Sequence, residues 1–242
     1  MTNITEQTLA SIVTEHHQTV PVLEKYNLDF CCKGKRTLAE ACTEKGLSIE
    51  EILKELEASS TNEKNNSMPF PEMSAEQLIG YILIHHHFYL KQSMPIIADH
   101  LTKVATKHGD RFPNMVVVLE LFLHLKNEMT LHMQKEETIL FPRIKEVESF
   151  YHFKQKKNLQ TNYINGPVGL MENAHVEAGE IMYKIRQLTS SYTIPEGACT
   201  TFTVVLAELK EFEEDLHRHV HLENNILFPL ADKMIVEVSS FA

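Results

Sequence analysis

The hydrophobic and polar positions follow a helical period along most of the chain. From about Ser74 to Lys107 the apolar face runs through Ile79, Ile82, Tyr89 and Leu90, with Ser74 as N-cap and Gln77 at the capping-box position. A second helix is expected from about Pro113 to Leu140, stopping at Phe-Pro, with a short extra helix within 141–157. A third opens at Pro167 and ends near Thr189; a fourth runs from about Glu196 to Leu227, again stopping at Phe-Pro. Long helices with short connections predict an antiparallel up-down four-helix bundle over 75–242.

Residues 1–58 carry shorter patterns and predict a small helical domain. Ile4, Leu9, Ile12 and Val13 mark a first helix, Pro21 opens a second, Leu38–Cys42 forms a third, and Ser48 with Glu51 caps a fourth through Leu56. The polar stretch 59–74, SSTNEKNNSMPFPEMS, lacks periodicity, carries two prolines and reads as a linker. The fold class expected is all-α.

Composition narrows the function classes. Glycine (8) and proline (9) are sparse in 242 residues, which argues against turn-rich β sandwiches and low-complexity chains. A net charge of −10 argues against a nucleic-acid binder, because phosphate affinity needs clustered Lys and Arg. No stretch approaches the roughly 20 apolar residues of a membrane helix, and the first residues lack the apolar centre of a signal peptide. A cytoplasmic protein without a membrane partner is expected. Four cysteines are no disulfide framework. Fourteen histidines raise a metal hypothesis.

An internal repeat sharpens it. His132-Met-Gln-Lys-Glu136-Glu-Thr-Ile-Leu-Phe-Pro142 aligns with His219-Val-His-Leu-Glu223-Asn-Asn-Ile-Leu-Phe-Pro229, six of eleven positions being identical at an offset of 87. His87 and His175 are related by nearly the same offset. Each half of the bundle thus supplies a lone His on its first helix and a His-x-x-x-Glu on its second. Residues i and i+4 share a helix face, so each pair reaches one point inside the bundle, where a partner helix adds another His. Four imidazoles and two carboxylates around a shared centre suit iron, with manganese and zinc as competitors. They leave open positions for an oxo bridge, water or a small molecule. One such pair is common on solvated surfaces; two copies at a fixed offset are not, and burying them without a metal is costly. A ferritin-like site uses Glu-x-x-His instead, and no HExxH occurs, so a zincin protease is unsupported.

These residues resemble the hemerythrin-like di-iron fold. Tyr26-Asn-Leu-Asp-Phe-Cys-Cys-Lys-Gly-Lys35, followed by Leu38-Ala-Glu-Ala-Cys42, is similar to the DFCC domain of the RIC family of iron–sulfur cluster repair proteins. The resemblance covers nearly the whole chain. It implies metal ligands at His87, His132, Glu136, His175, His219 and Glu223, with the glutamates bridging two irons. It implies repair of clusters damaged by oxidative or nitrosative stress, with damaged iron–sulfur proteins as partners. Where the family often has an acid just before the third-helix His, this chain has Ala174, with Glu172 nearest. On the first helix His85, His86 and His87 are consecutive; periodicity allows His86 inward equally, whereas the repeat offset and the spacing to Pro95 favour His87.

Other residues carry further expectations. Glu128 and Asp215 lie one turn before His132 and His219 and are candidates to orient a ligand or relay protons. Adjacent Cys31 and Cys32 are candidates for redox, thiol exchange or transient iron contact, with Lys33, Lys35 and Arg36 placed to lower a thiol pKa. Cys42 and Cys199 read as core, as do Met129, Met133, Met171 and Met182; His16, His17, His124, His217 and His221 read as surface. The function expected is iron donation for cluster repair. The alternative is a nitric oxide or dioxygen reductase or sensor. A domain as small as 1–58 is expected to dock on its own bundle or to pair chains in a homodimer.

Overall fold

The computed structural model describes residues 4–61, 69–159 and 162–241; of the expected linker, 62–68 lie outside them. Among the described residues the protein is all-α, with one isolated antiparallel bridge between Thr8 and Thr37. None of the described helices is long and apolar enough to cross a membrane.

In the N-terminal part α1 spans Leu9–Glu15, α2 Val20–Lys25, α3 Leu38–Lys45 and α4 Ile49–Thr61. Thr8 caps α1, accepting from Ser11 N–H, and Thr37 with Glu40 forms a capping box on α3. Gly46 closes α3 in the left-handed conformation (φ 63°), which a residue without Cβ adopts at little cost. Leu9, Ile12, Leu23, Phe30, Leu38, Ile52 and Leu56 are buried in one core that continues into the bundle. The small domain therefore docks on its own chain.

The bundle consists of four columns. The first is α5 (Ala75–Tyr81), a π turn at Ile82–His87 and α6 (Phe88–His108). The second is α7 (Asn114–Lys135), a π turn at Glu136–Leu140 and α8 (Phe141–His152). The third is α9 (Asn162–Leu188) alone, and the fourth is α10 (Thr200–Leu222), a π turn at Glu223–Leu227 and α11 (Phe228–Ser240). Ser74 and Gln77 form the expected capping box. α6 packs on α7 and α10, and α9 completes the square against both.

Proline does not end these helices where the sequence suggests. Helices continue past both Phe-Pro pairs, because the wider π turn ahead of Pro142 and Pro229 moves aside the carbonyl on which a proline ring clashes in a regular helix. α9 opens five residues before Pro167; the Tyr163 carbonyl that loses its partner to Pro167 accepts from Arg143 Nη1 instead, at 3.0 Å.

Candidate metal centre

The three π turns lie at the centre of the bundle. In each, an N–H bonds a carbonyl five residues back: Phe88 to Leu83, Phe141 to Glu136 and Phe228 to Glu223. Single π turns inside helices often mark functional sites. Here one ends at His87 and the other two begin at Glu136 and Glu223.

The six repeat residues converge there. His87 Nε2 lies 3.2 Å from His219 Nε2 and 3.4 Å from Glu136 Oε2, and His219 Nε2 lies 3.1 Å from Glu223 Oε1. Opposite them, His132 Nε2 lies 3.0 Å from His175 Nε2 and 3.1 Å from Glu136 Oε1, and His175 Nε2 lies 3.1 Å from Glu223 Oε2. Each glutamate thus turns one oxygen to each imidazole pair. The pairing crosses the repeat: the lone His of one half meets the His-x-x-x-Glu histidine of the other. All six residues are at most 3% exposed.

The donor set fits metal ions. All four carboxylate oxygens are buried without a hydrogen bond, although each has an imidazole nitrogen 3.1–3.4 Å away. An ionised carboxylate in that state costs several kcal/mol (~3–5 kcal/mol) unless a cation compensates it. Burial, and for Glu136 also Glu223, pushes the carboxyl pKa values up; the imidazoles outweigh this and hold both below the ordinary carboxylate value. Donors bound to one ion at about 2.1 Å and at right angles stand about 3 Å apart, which is the spacing within each group.

Surrounding contacts repeat the pseudo-twofold pattern. His87 Nδ1 bonds Glu137 Oε1 at 2.8 Å, and His175 Nδ1 bonds Asn224 Oδ1 at 2.8 Å. Phe141 stacks on His87 at 5.6 Å between centroids and Phe228 on His175 at 6.3 Å. Sequence reasoning missed Glu137 and Asn224, although they follow the two repeat glutamates at the same offset.

Several expectations change. His86 and His87 are both buried, where one inward residue is expected: the π turn faces two consecutive residues inward, the Nδ1 of His86 bonds Asp215 Oδ1 at 3.0 Å and its ring stacks on His219 at 5.7 Å. His85 is exposed. Glu128 is exposed on α7, because its side chain leaves toward solvent, and it does not join the cluster. His221 is buried, with its pKa pushed down by burial to about 4, and His217 bonds Glu24; both lie under the docked N-terminal domain. Cys199 is half-buried at the N-cap of α10, 3.2 Å from His108 Nε2.

Cys31 and Cys32 lie against the His175 side. Cys32 Sγ is 3.6 Å from the His175 carbonyl, and the Cys31 carbonyl accepts from Asn225 Nδ2 at 3.2 Å. The thiols are free, 3.8 Å apart. Donation from Cys31 lowers the Cys32 pKa, while the same contact and burial raise that of Cys31. The expected cations are not the cause: Lys33 and Lys35 are exposed and Arg36 pairs with Glu44. Asp29 Oδ1 instead accepts the backbone N–H groups of Cys31, Cys32 and Lys33, holding the loop.

Comparison with known proteins places this arrangement. The family profile for the hemerythrin HHE cation binding domain matches residues 78–231, and that for the ScdA_N domain of unknown function (DUF542) matches residues 5–60. The chain is 35% identical over 227 residues to the iron-sulfur cluster repair protein YtfE of Cronobacter sakazakii, covering 93% of this chain and 96% of that one. It is 34% identical to the proteins of that name from Shigella boydii and Escherichia coli K12, with the same coverage. With a DUF542 domain joined to a hemerythrin-like bundle and this likeness along almost its full length, the chain belongs to the RIC family of iron–sulfur cluster repair proteins.

Proposed function

We propose that the protein holds two iron ions between Glu136 and Glu223 and gives up iron to iron–sulfur proteins whose clusters oxidative or nitrosative stress has damaged. His87 and His219 hold one ion, His132 and His175 the other, and the two carboxylates reach both. The observation that carries this reading is the set of four buried carboxylate oxygens without hydrogen bonds, each turned to an imidazole pair. Mixed imidazole and carboxylate donors favour iron over the softer thiolate-seeking metals. Bound iron supplies the labile ion for cluster rebuilding and, with an electron donor, redox chemistry toward nitric oxide.

The chain's own residues bind and shelter the ions. The bundle, 75–242, provides the donors; the aromatic rings of Phe141 and Phe228 fix the imidazoles they stack on. The N-terminal domain, 1–58, covers the His175 side, and Cys32, the more readily ionised thiol, offers a transient ligand to departing iron.

The test is iron loading without oxygen, elemental analysis and incubation with a cluster-free iron–sulfur protein. Two irons per chain and stoichiometric appearance of clusters support the proposal. Catalytic nitric oxide consumption with no iron transfer would favour a reductase. Failure to bind iron would overturn both.

A further inference from the structure

The two sides of the centre match in ligand types but not in the groups behind the ligands. On one side His87 donates from Nδ1 to a carboxylate, Glu137, which Lys91 Nζ holds at 2.6 and 2.8 Å from its two oxygens. Lys91 is about half exposed, so solvent screens its charge. His219 on the same side lies under the ring of His86, which is itself bonded to Asp215. On the other side His175 donates from Nδ1 to a neutral amide, Asn224. The amide orientation is set by its nitrogen, which donates to the Cys31 carbonyl at 3.4 Å. Behind His132 there is no counterpart to the His86–Asp215 pair: Glu128, the repeat equivalent of Asp215, is exposed.

The difference has a chemical consequence. A carboxylate accepting from the far nitrogen of a ligand imidazole raises the basicity of the metal-facing nitrogen; a neutral amide oxygen does so less. One carboxylate, Glu137, accepts from a histidine of the His87–His219 pair and none accepts from the His132–His175 pair; Nδ1 of both His219 and His132 is buried without a hydrogen bond.

Resting on the two-iron reading, we propose that the two metal positions are unequal: the ion between His87 and His219 is held tightly, and the ion between His132 and His175, beside the Cys31–Cys32 loop, leaves first. Glu137 and Asn224 are the positioning residues that set this order. Their identities, a charged and a neutral group at equivalent repeat positions, give the centre one retained and one exchangeable ion.

The experiment is release of iron(II) from the anaerobically loaded full-length protein to a ferrous chelator in excess, followed by absorbance. Wild type is expected to release its two ions in separate phases of equal amplitude. Glu137→Gln keeps the hydrogen bond, removes the charge, and is expected to weaken the tight position by about 10- to 100-fold, merging the phases. Asn224→Asp is expected to act in the opposite sense and slow the fast phase; general loosening of the fold would not produce that slowing. Mössbauer spectra of 57Fe-loaded Glu137→Gln should show one of two iron environments changed and the other kept. A single release phase in wild type, or phases that neither substitution moves, would overturn the proposal while leaving two bound irons intact. Saturation below two ions per chain would overturn the underlying two-iron reading as well.

Discussion

Glu24 on α2 lies 2.6 Å from His217 Nδ1 on α10, so the small domain grips the bundle two residues before His219. The grip extends through Arg186 on α9, which reaches Glu24 Oε2 at 3.4 Å and Glu213 Oε2 at 2.7 Å, while the Tyr192 hydroxyl donates to Glu213 at 2.7 Å. Burial pushes the His217 pKa down and Glu24 outweighs it, leaving it raised. Removing one partner of such a network strands the other buried charges. Arg186→Met is expected to cost about 3–5 kcal/mol in urea unfolding. A loss under about 1 kcal/mol would show that the network is solvated in solution.

Metal binding should stabilise the bundle by mass action. An ion at a hundredfold excess over its Kd adds about 2.7 kcal/mol to the folded state. Chelation should therefore lower Tm, and Glu136→Gln should remove most of the difference between loaded and stripped protein in calorimetry. Equal Tm values for loaded and stripped wild type would contradict the assignment of Glu136 as a ligand.

Gly34 has no room for a side chain. A Cβ there would stand 2.2 Å from the Phe30 carbonyl oxygen and 2.9 Å from Ala10 Cβ, while the Gly34 carbonyl accepts from Ala10 N–H at 2.9 Å. Gly34→Ala must displace the loop that carries Cys31 and Cys32. The expected outcome is faster labelling of Cys32 by a thiol reagent, with iron content per chain unchanged. Unaltered labelling would mean that the loop tolerates the methyl group.

Acid should weaken the N-terminal domain through Glu55. Lys25 Nζ, at 2.7 and 2.8 Å, and the Tyr26 hydroxyl, at 2.8 Å, hold its carboxyl below the ordinary value of 4.5. A depressed folded-state pKa gives stability that is present above the unfolded pKa and is lost as pH falls through the folded value. Wild type should lose stability relative to Glu55→Gln below pH 4.5 and not above it. The effect is small because the pair is exposed. Unfolding free energies of both proteins, measured at matched pH, provide the check.

The chain alone determined the helical class, the capped start at Ser74 and the six His and Glu residues that converge at the bundle centre, because those depend on periodicity, on local hydrogen bonds and on a repeat that places His and Glu one helical turn apart. Tertiary structure decided the rest. Periodicity assumes a regular α-helix, so it could neither place the π turns that face both His86 and His87 inward nor show that the helices run on past Pro142 and Pro229. Which histidines pair across the bundle depends on which helices are neighbours, and that is a long-range property. The burial of His221, the pairing of His217 with Glu24 and the position of Cys32 beside His175 likewise follow from the docking of one domain on the other. Glu137 and Asn224 occupy matching positions in the repeat, but only the folded bundle brings each within 2.8 Å of the lone histidine on the other helix of its own half.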